Sequence, residues 1–70
     1  MRVEVEIARA GASRIHSLEV PAGTLLREAI RSLAGSPEGY AVLVDGTPVP
    51  PDLPIEQSAR FVVVPTFSGG

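Results

Sequence analysis

From Arg2 to Ile7 the chain alternates strictly between polar and apolar residues, with Val3, Val5 and Ile7 on one side. A period of two predicts a half-buried strand. His16 to Val20 alternates again and turns Leu18 and Val20 to one side. The small stretch Ala10-Gly11-Ala12-Ser13 lies between the two runs, so the pair predicts a β-hairpin. Pro21 closes the second strand, and Thr24 is placed as a helix N-cap whose hydroxyl accepts an orphan N–H of the first turn. Leu26, Ala29, Ile30 and Leu33 then fall at helical spacing, while Arg27, Glu28, Arg31 and Ser32 lie off the stripe. This predicts an amphipathic helix of about three turns. Gly35 is placed to end it in a left-handed conformation, with Pro37 beyond.

Tyr40 to Val44 predicts a third strand, and Asp45-Gly46 is the preferred pair for a two-residue type I′ hairpin turn. Val49 restarts a brief apolar pairing. Pro48, Pro50, Pro51 and Pro54 forbid a long central strand there and predict a rigid surface loop over Leu53 and Ile55. Phe61-Val62-Val63-Val64 is apolar on both parities. Such a run suits a central strand covered on both faces, or a strand with one covered and one adhesive exposed face. If Phe61 and Val63 point inward with Val42 and Val44, then Leu43, Val62 and Val64 form one apolar patch on the outer face. Contiguous exposed apolar area often marks a protein interface. Reversed parity would place these side chains in the core instead. The order strand, strand, helix, strand, short strand, strand predicts an α+β domain.

Composition narrows the function. Seventy residues make one domain, near the lower limit for a self-sufficient core. Such a core leaves only about 3–5 kcal/mol of net stability. There is no cysteine, hence no disulfide and no thiolate metal site, and His16 is the single histidine. Apolar runs are too short for a membrane span, and Met1-Arg2-Val3-Glu4-Val5 carries charges where a signal peptide has none. A cytoplasmic protein is expected. The net charge of −2 is scattered, which disfavours direct nucleic-acid binding. All six basic residues are arginine: Arg2, Arg9, Arg14, Arg27, Arg31 and Arg60. An Arg-for-Lys bias explains this most simply. It also means that no side-chain amine here can accept an isopeptide bond.

Most catalytic readings fail. Ser13, His16, Ser17 and Asp45 form no nucleophile elbow or triad pattern, and His16 reads as a strand-end surface residue. Glu4 and Glu6 share a polar strand face and read as solvated rather than as a paired-acid site. No P-loop and no GxGxxG pattern marks a nucleotide site. The prolines around Val49 read as loop stiffeners rather than as a groove ligand, and a chain this small has little room for a deep pocket. No metal site, bound cofactor or enzymatic activity is expected.

The ending Pro65-Thr66-Phe67-Ser68-Gly69-Gly70 carries more information. Two glycines without Cβ atoms make a tip that enters a slot too narrow for other residues. A frayed tail is the bland alternative. With the preceding elements, the ending resembles the ubiquitin-like β-grasp superfamily. Leu18-Glu19-Val20-Pro21 followed by Thr24 resembles the second strand and helix start of these proteins. The stretch Val42 to Pro50 resembles their central hairpin and is especially similar to small archaeal modifier proteins. Phe61 to Gly70 resembles the last strand and tail. The resemblance implies a mixed four- to five-stranded sheet packed on one amphipathic helix, a β-grasp domain over residues 1–66 and a flexible tail over 67–70.

Length and tail look most like sulfur carriers: the small subunit of molybdopterin synthase, the thiamine-pathway carrier and the ubiquitin-related modifiers of transfer-RNA thiolation. Thr66 and Ser68 stand where ubiquitin has basic residues, which argues against eukaryotic-type ubiquitin enzymes as partners. The resemblance implies that a ubiquitin-activating-type adenylating enzyme, using ATP and Mg²⁺, joins the Gly70 carboxylate to AMP. A persulfide then displaces AMP and leaves a thiocarboxylate, which a sulfur-accepting synthase or thiolation enzyme consumes. In the modifier branch a target-protein lysine takes the acyl group instead. Gly70 is then the reacting residue and Gly69 its slender neighbour. Leu43, Val62, Val64, Phe67 and Ser68 are expected to meet the partner, and the chain alone is expected to be monomeric. A third reading is a non-covalent binding module with an idle tail.

Overall fold

The computed structural model describes residues 1–9, 11–35 and 39–65. Strand β1 (Arg2–Arg9) pairs antiparallel with β2 (Ala12–Glu19) from Arg2↔Glu19 to Arg9↔Ala12. The second strand therefore begins at Ala12, not His16. The turn is only two residues long, and Gly11 at φ 79° allows it. His16 consequently sits mid-strand, half-buried opposite Val5, rather than at a strand end on the surface.

The last strand, β7 (Arg60–Pro65), runs parallel to β1 from Glu4↔Arg60 to Ile7↔Val63. Its other edge pairs antiparallel with β4 (Tyr40–Val44). A turn at Asp45 (φ 52°) and Gly46 (φ 78°) leads into β5 (Thr47–Val49). Positive φ at both turn residues is the type I′ signature that Asp-Gly predicts. The sheet order is β2-β1-β7-β4-β5. A mixed five-stranded sheet with its first and last strands parallel at the centre, and helix on one face, is the ubiquitin-like β-grasp form of an α+β fold. The doubly apolar run Phe61–Val64 occupies the central strand, as its composition predicts.

The crossing segment departs from expectation. Thr24 and Leu25 form a short strand, β3, paired with β6 (Pro54–Ile55). The N-cap is Leu25, with no side-chain cap. The Thr24 hydroxyl instead donates to the Pro21 carbonyl at 2.7 Å. The orphan N–H groups find backbone partners: Leu26 donates to the Leu53 carbonyl at 2.8 Å and Arg27 to the Pro51 carbonyl at 2.7 Å. Proline has a carbonyl but no N–H, so a proline-rich loop is rich in acceptors. The start of a helix is rich in unpaired donors. The two complement each other, and this replaces the expected threonine cap.

The helix itself is two pieces, α1 (Leu26–Ala29) and α2 (Arg31–Ala34). The break is at Ile30, whose φ −102° and ψ 6° lie in the bridge region. Gly35 ends the second piece at φ 76°. The amphipathic stripe still operates through the break. Leu26 and Ile30 are fully buried, and Ala29 and Leu33 pack at the rim. The core is completed by Val3, Val5 and Ile7 from β1, Tyr40 and Val42 from β4, Phe61 and Val63 from β7, and Ile55 from β6. Each fully buried aliphatic side chain contributes roughly 1.5–3 kcal/mol before chain entropy is subtracted. No helix among the described residues is long and apolar enough to cross a membrane.

Candidate functional site: the outer sheet face beside the tail

Pleating divides the residues of β4 and β7 between two faces. Tyr40, Val42, Phe61 and Val63 are buried on the helix side. Leu43 lies opposite Val62 and Ala41 opposite Val64, all four half-buried and none packed on the core. The expected parity is therefore the observed one, and Leu43, Val62 and Val64 share the outer face. The register adds neighbours that the sequence reading missed. Pro48 pairs with Leu43 at the edge, and Ala41 fills the space beside Val64. A two-residue turn at Asp45-Gly46 fixes the pairing of 43 with 48, so that signal was present in the sequence.

Charge borders the patch on its β1 side. Glu6 lies beside Val62. One row away, Arg60 donates to a single Glu4 carboxylate oxygen through Nη2 at 2.9 Å and Nε at 3.0 Å. Glu4 is thus held in an ion pair with a neighbouring strand, and Glu4 and Glu6 do not form a shared acid site. Arg2 and Glu19 make a second exposed cross-strand pair at 3.3 Å. Beyond Glu6 stands Ile15 of β2, 53% exposed. It escaped the sequence reading because the second strand was expected to begin one residue later.

The patch ends where β7 ends. Val64 is followed by exposed Pro65, which pairs with Tyr40. Phe67, Ser68, Gly69 and Gly70 lie outside the described residues, as does the boundary expected at residue 66.

On the opposite face, an open groove of about 370 Å³ lies between the β1–β2 hairpin and α2. It is lined by Ile7, Ala12, Ser13, Arg14, His16 and Leu33. It offers a serine hydroxyl, an imidazole and a guanidinium, with no carboxylate in its lining to orient the imidazole. Asp45 is in the β4–β5 turn, three strands from His16 on β2. At about 4.8 Å per strand that separation excludes a Ser-His-Asp arrangement. Among the described residues no three His, Asp or Glu side chains gather as a metal site would need.

Tyr40 is the one buried side chain with an unpartnered polar atom among the described residues. Burial raises its phenol above the ordinary value of 10.0, because the phenolate would lose its hydration.

Comparison with known proteins bears on the fold. No curated protein matches the chain. A family described as small archaeal modifier protein 2 matches residues 1–64, from the first strand through Val64. The match thus covers every strand of the sheet except the final residue of β7, Pro65, and stops short of the diglycine tail. On that match the chain belongs to the small archaeal modifier protein 2 family.

Proposed function

We propose that this chain is a sulfur carrier, activated at Gly70 by a separate adenylating enzyme and loaded there as a thiocarboxylate. Its family gives the broader class: small ubiquitin-like proteins that serve as modifiers or sulfur carriers, and are substrates rather than enzymes. The tail's likeness to sulfur carriers favours the carrier role, and the observation that supports donation from Gly70 in either role is the last strand. Its inner parity anchors the fold through Phe61 and Val63. Its outer parity presents Val62 and Val64, and the next residues lead directly to Ser68-Gly69-Gly70. One strand thus joins a docking surface to a reactive terminus.

The chemistry follows from the weakness of a carboxylate as an acyl donor. The partner transfers AMP from ATP to a Gly70 oxygen and releases pyrophosphate, with Mg²⁺ on the phosphates. A persulfide sulfur then attacks the Gly70 carbonyl carbon, and AMP leaves with the bonding electrons. A second thiol opens the resulting acyl disulfide, forms a disulfide itself and frees the thiocarboxylate. This chain contributes the acyl group and the surface. Ser68, Gly69 and Gly70, fully extended, span about 10 Å, enough to enter a partner's active site while the sheet stays outside. Phe67 and Ser68 follow the tip into that contact. The acceptor is a synthase or a transfer-RNA thiolation enzyme.

A second reading is conjugation to target lysines through Gly70. It is favoured by the family description and by the central hairpin Val42 to Pro50. Incubation with the adenylating enzyme, ATP and a sulfur source, followed by intact-mass analysis, separates the two. Exchange of one terminal oxygen for sulfur supports the carrier. Diglycine remnants on lysines of other proteins support the modifier. Deleting Gly69 and Gly70 is expected to abolish adenylation. A truncated chain that is still adenylated, or a mature chain that continues past Gly70, would sink both readings in favour of a non-covalent module.

A further inference from the structure

We propose that Glu6 sets the specificity of the outer sheet face: the protein that docks there carries one cationic side chain, set in an otherwise apolar strip, that meets the Glu6 carboxylate. The proposal deepens the activation reading and rests on it, since the docking protein is the adenylating enzyme.

The first observation is a row. Four registers link five residues straight across the sheet. Ile15 of β2 lies opposite Glu6 of β1, Glu6 beside Val62 of β7, Val62 opposite Leu43 of β4, and Leu43 opposite Pro48 of β5. Side chains directly opposite one another share a face. Val62 and Leu43 lie outside the core, so the whole row faces away from the helices. At about 4.8 Å per strand it spans about 19 Å. Its ends, Ile15 and Pro48, are exposed, while Glu6, Val62 and Leu43 are half-buried. Glu6 is thus the single break in an apolar strip that runs from one sheet edge to the other.

The second observation is how charge is matched on this face. Arg2 is held by Glu19 and Arg60 by Glu4, each across neighbouring strands. Glu6 forms no ion pair with another described residue. Its carboxylate therefore depends on water.

The third step is physical. A partner that covers Ile15 and Val62 also covers Glu6 between them, and strips water from that carboxylate. Burying an unpaired charge is strongly unfavourable. A purely apolar surface is therefore rejected, whereas a guanidinium or ammonium group replaces the lost water with charge-assisted hydrogen bonds. The aliphatic residues supply contact area, and Glu6 decides which surface is accepted. A second copy docked face to face offers no free cation, because Arg2 and Arg60 are already held.

The test measures pyrophosphate release by the adenylating enzyme of the same organism, with this chain as the varied substrate. Glu6→Gln is expected to raise KM by about tenfold with kcat unchanged, and Glu6→Arg by about a hundredfold. The kcat/KM of the parent should fall with added salt more steeply than that of Glu6→Gln. Glu28→Gln alters net charge equally from an exposed position on α1, and its KM should stay within about twofold of the parent. Far-ultraviolet circular dichroism should be the same for all. An unchanged or lowered KM in Glu6→Gln, with Val64→Glu still impaired, would overturn the proposal while leaving the outer face as the docking site. Glu6 would then only keep copies of the chain apart. An equal rise in Glu28→Gln would also overturn it, by reducing the effect to net charge. Unaltered rates in both Glu6→Gln and Val64→Glu would remove the docking face itself, and a parent chain that is not adenylated would remove the activation reading.

Discussion

Leu43 stands directly opposite Val62 in the β4–β7 ladder, on the sheet face turned away from the core. Two large aliphatic side chains meet where the pleat would ordinarily place polar ones. In an antiparallel pair such cross-strand contacts stabilise by a few tenths of a kcal/mol to about 1 kcal/mol. Their half-buried state leaves part of their apolar area facing solvent.

Val64 is the member of this patch next to the tail, so Val64→Glu is expected to impair activation without unfolding the domain. The new carboxylate lies opposite Ala41 and outside the core. Adenylation efficiency should fall by about tenfold or more, equivalent to about 1.4 kcal/mol of binding. The far-ultraviolet circular dichroism should stay unchanged. Steady-state pyrophosphate release at limiting protein measures the first. An unaltered rate would remove the outer face from the reaction.

Tyr40 gives a prediction in pH. Its buried hydroxyl has no partner among the described residues, and its phenol is raised above 10.0 by desolvation. In the unfolded chain the phenol ionises near 10.0, while in the folded chain it keeps its proton longer. Above that pH the folded state binds more protons, so stability falls with rising pH. The contribution is whole below about pH 10 and is lost as pH climbs through the raised folded value. Tyr40→Phe removes both the unpartnered hydroxyl and this alkaline sensitivity. The variant should be as stable as the parent at neutral pH, or more stable by up to about 1 kcal/mol. Urea unfolding at pH 7 and pH 11 tests it. A variant clearly weaker at neutral pH would mean that the hydroxyl has a partner.

Gly46 isolates backbone conformation from packing. A Cβ built there meets nothing within 4 Å, yet its φ is +78°. Gly46→Ala should therefore cost about 1–2 kcal/mol through the left-handed conformation alone. That is a large share of the roughly 3–5 kcal/mol available to so small a core. The midpoint of urea unfolding should drop accordingly with an unchanged slope. An undisturbed midpoint would mean that the turn relaxes to another type.

Several elements were readable because they depend on local rules. Tyr40–Val44 and the Asp45-Gly46 turn follow from apolar patterning and from turn chemistry that acts within four residues, whereas Phe61–Val64 is apolar on both parities and its inward face was set by pairing with β1 and β4. The candidate patch was readable only as a conditional: if Phe61 points inward Val62 cannot, and the burial of Phe61 and Val63 meets that condition. The errors lie where a distant segment intervenes. Thr24 has the chemistry of an N-cap, but Ile55 pairs with it as a strand residue, and Leu53 and Pro51 satisfy the helix N–H groups. Residues 12–15 carry no alternation of their own and become strand because β1 extends far enough to pair with them.

The sequence by itself determined the inventory: which runs are apolar, where the chain must turn, that these 70 residues hold no lysine or cysteine, and that two glycines stand at positions 69 and 70. These depend on residue identity and on interactions within a turn or two of chain, where physical chemistry leaves few alternatives. Only the tertiary structure decided which strands adjoin. Strand order is a matter of long-range pairing that no local period encodes. That pairing set the parallel registry of β1 and β7, bonded Glu4 to Arg60 across 56 positions of chain, placed Ile15 on the outer face, and put Met1 at the far end of the sheet from Pro65.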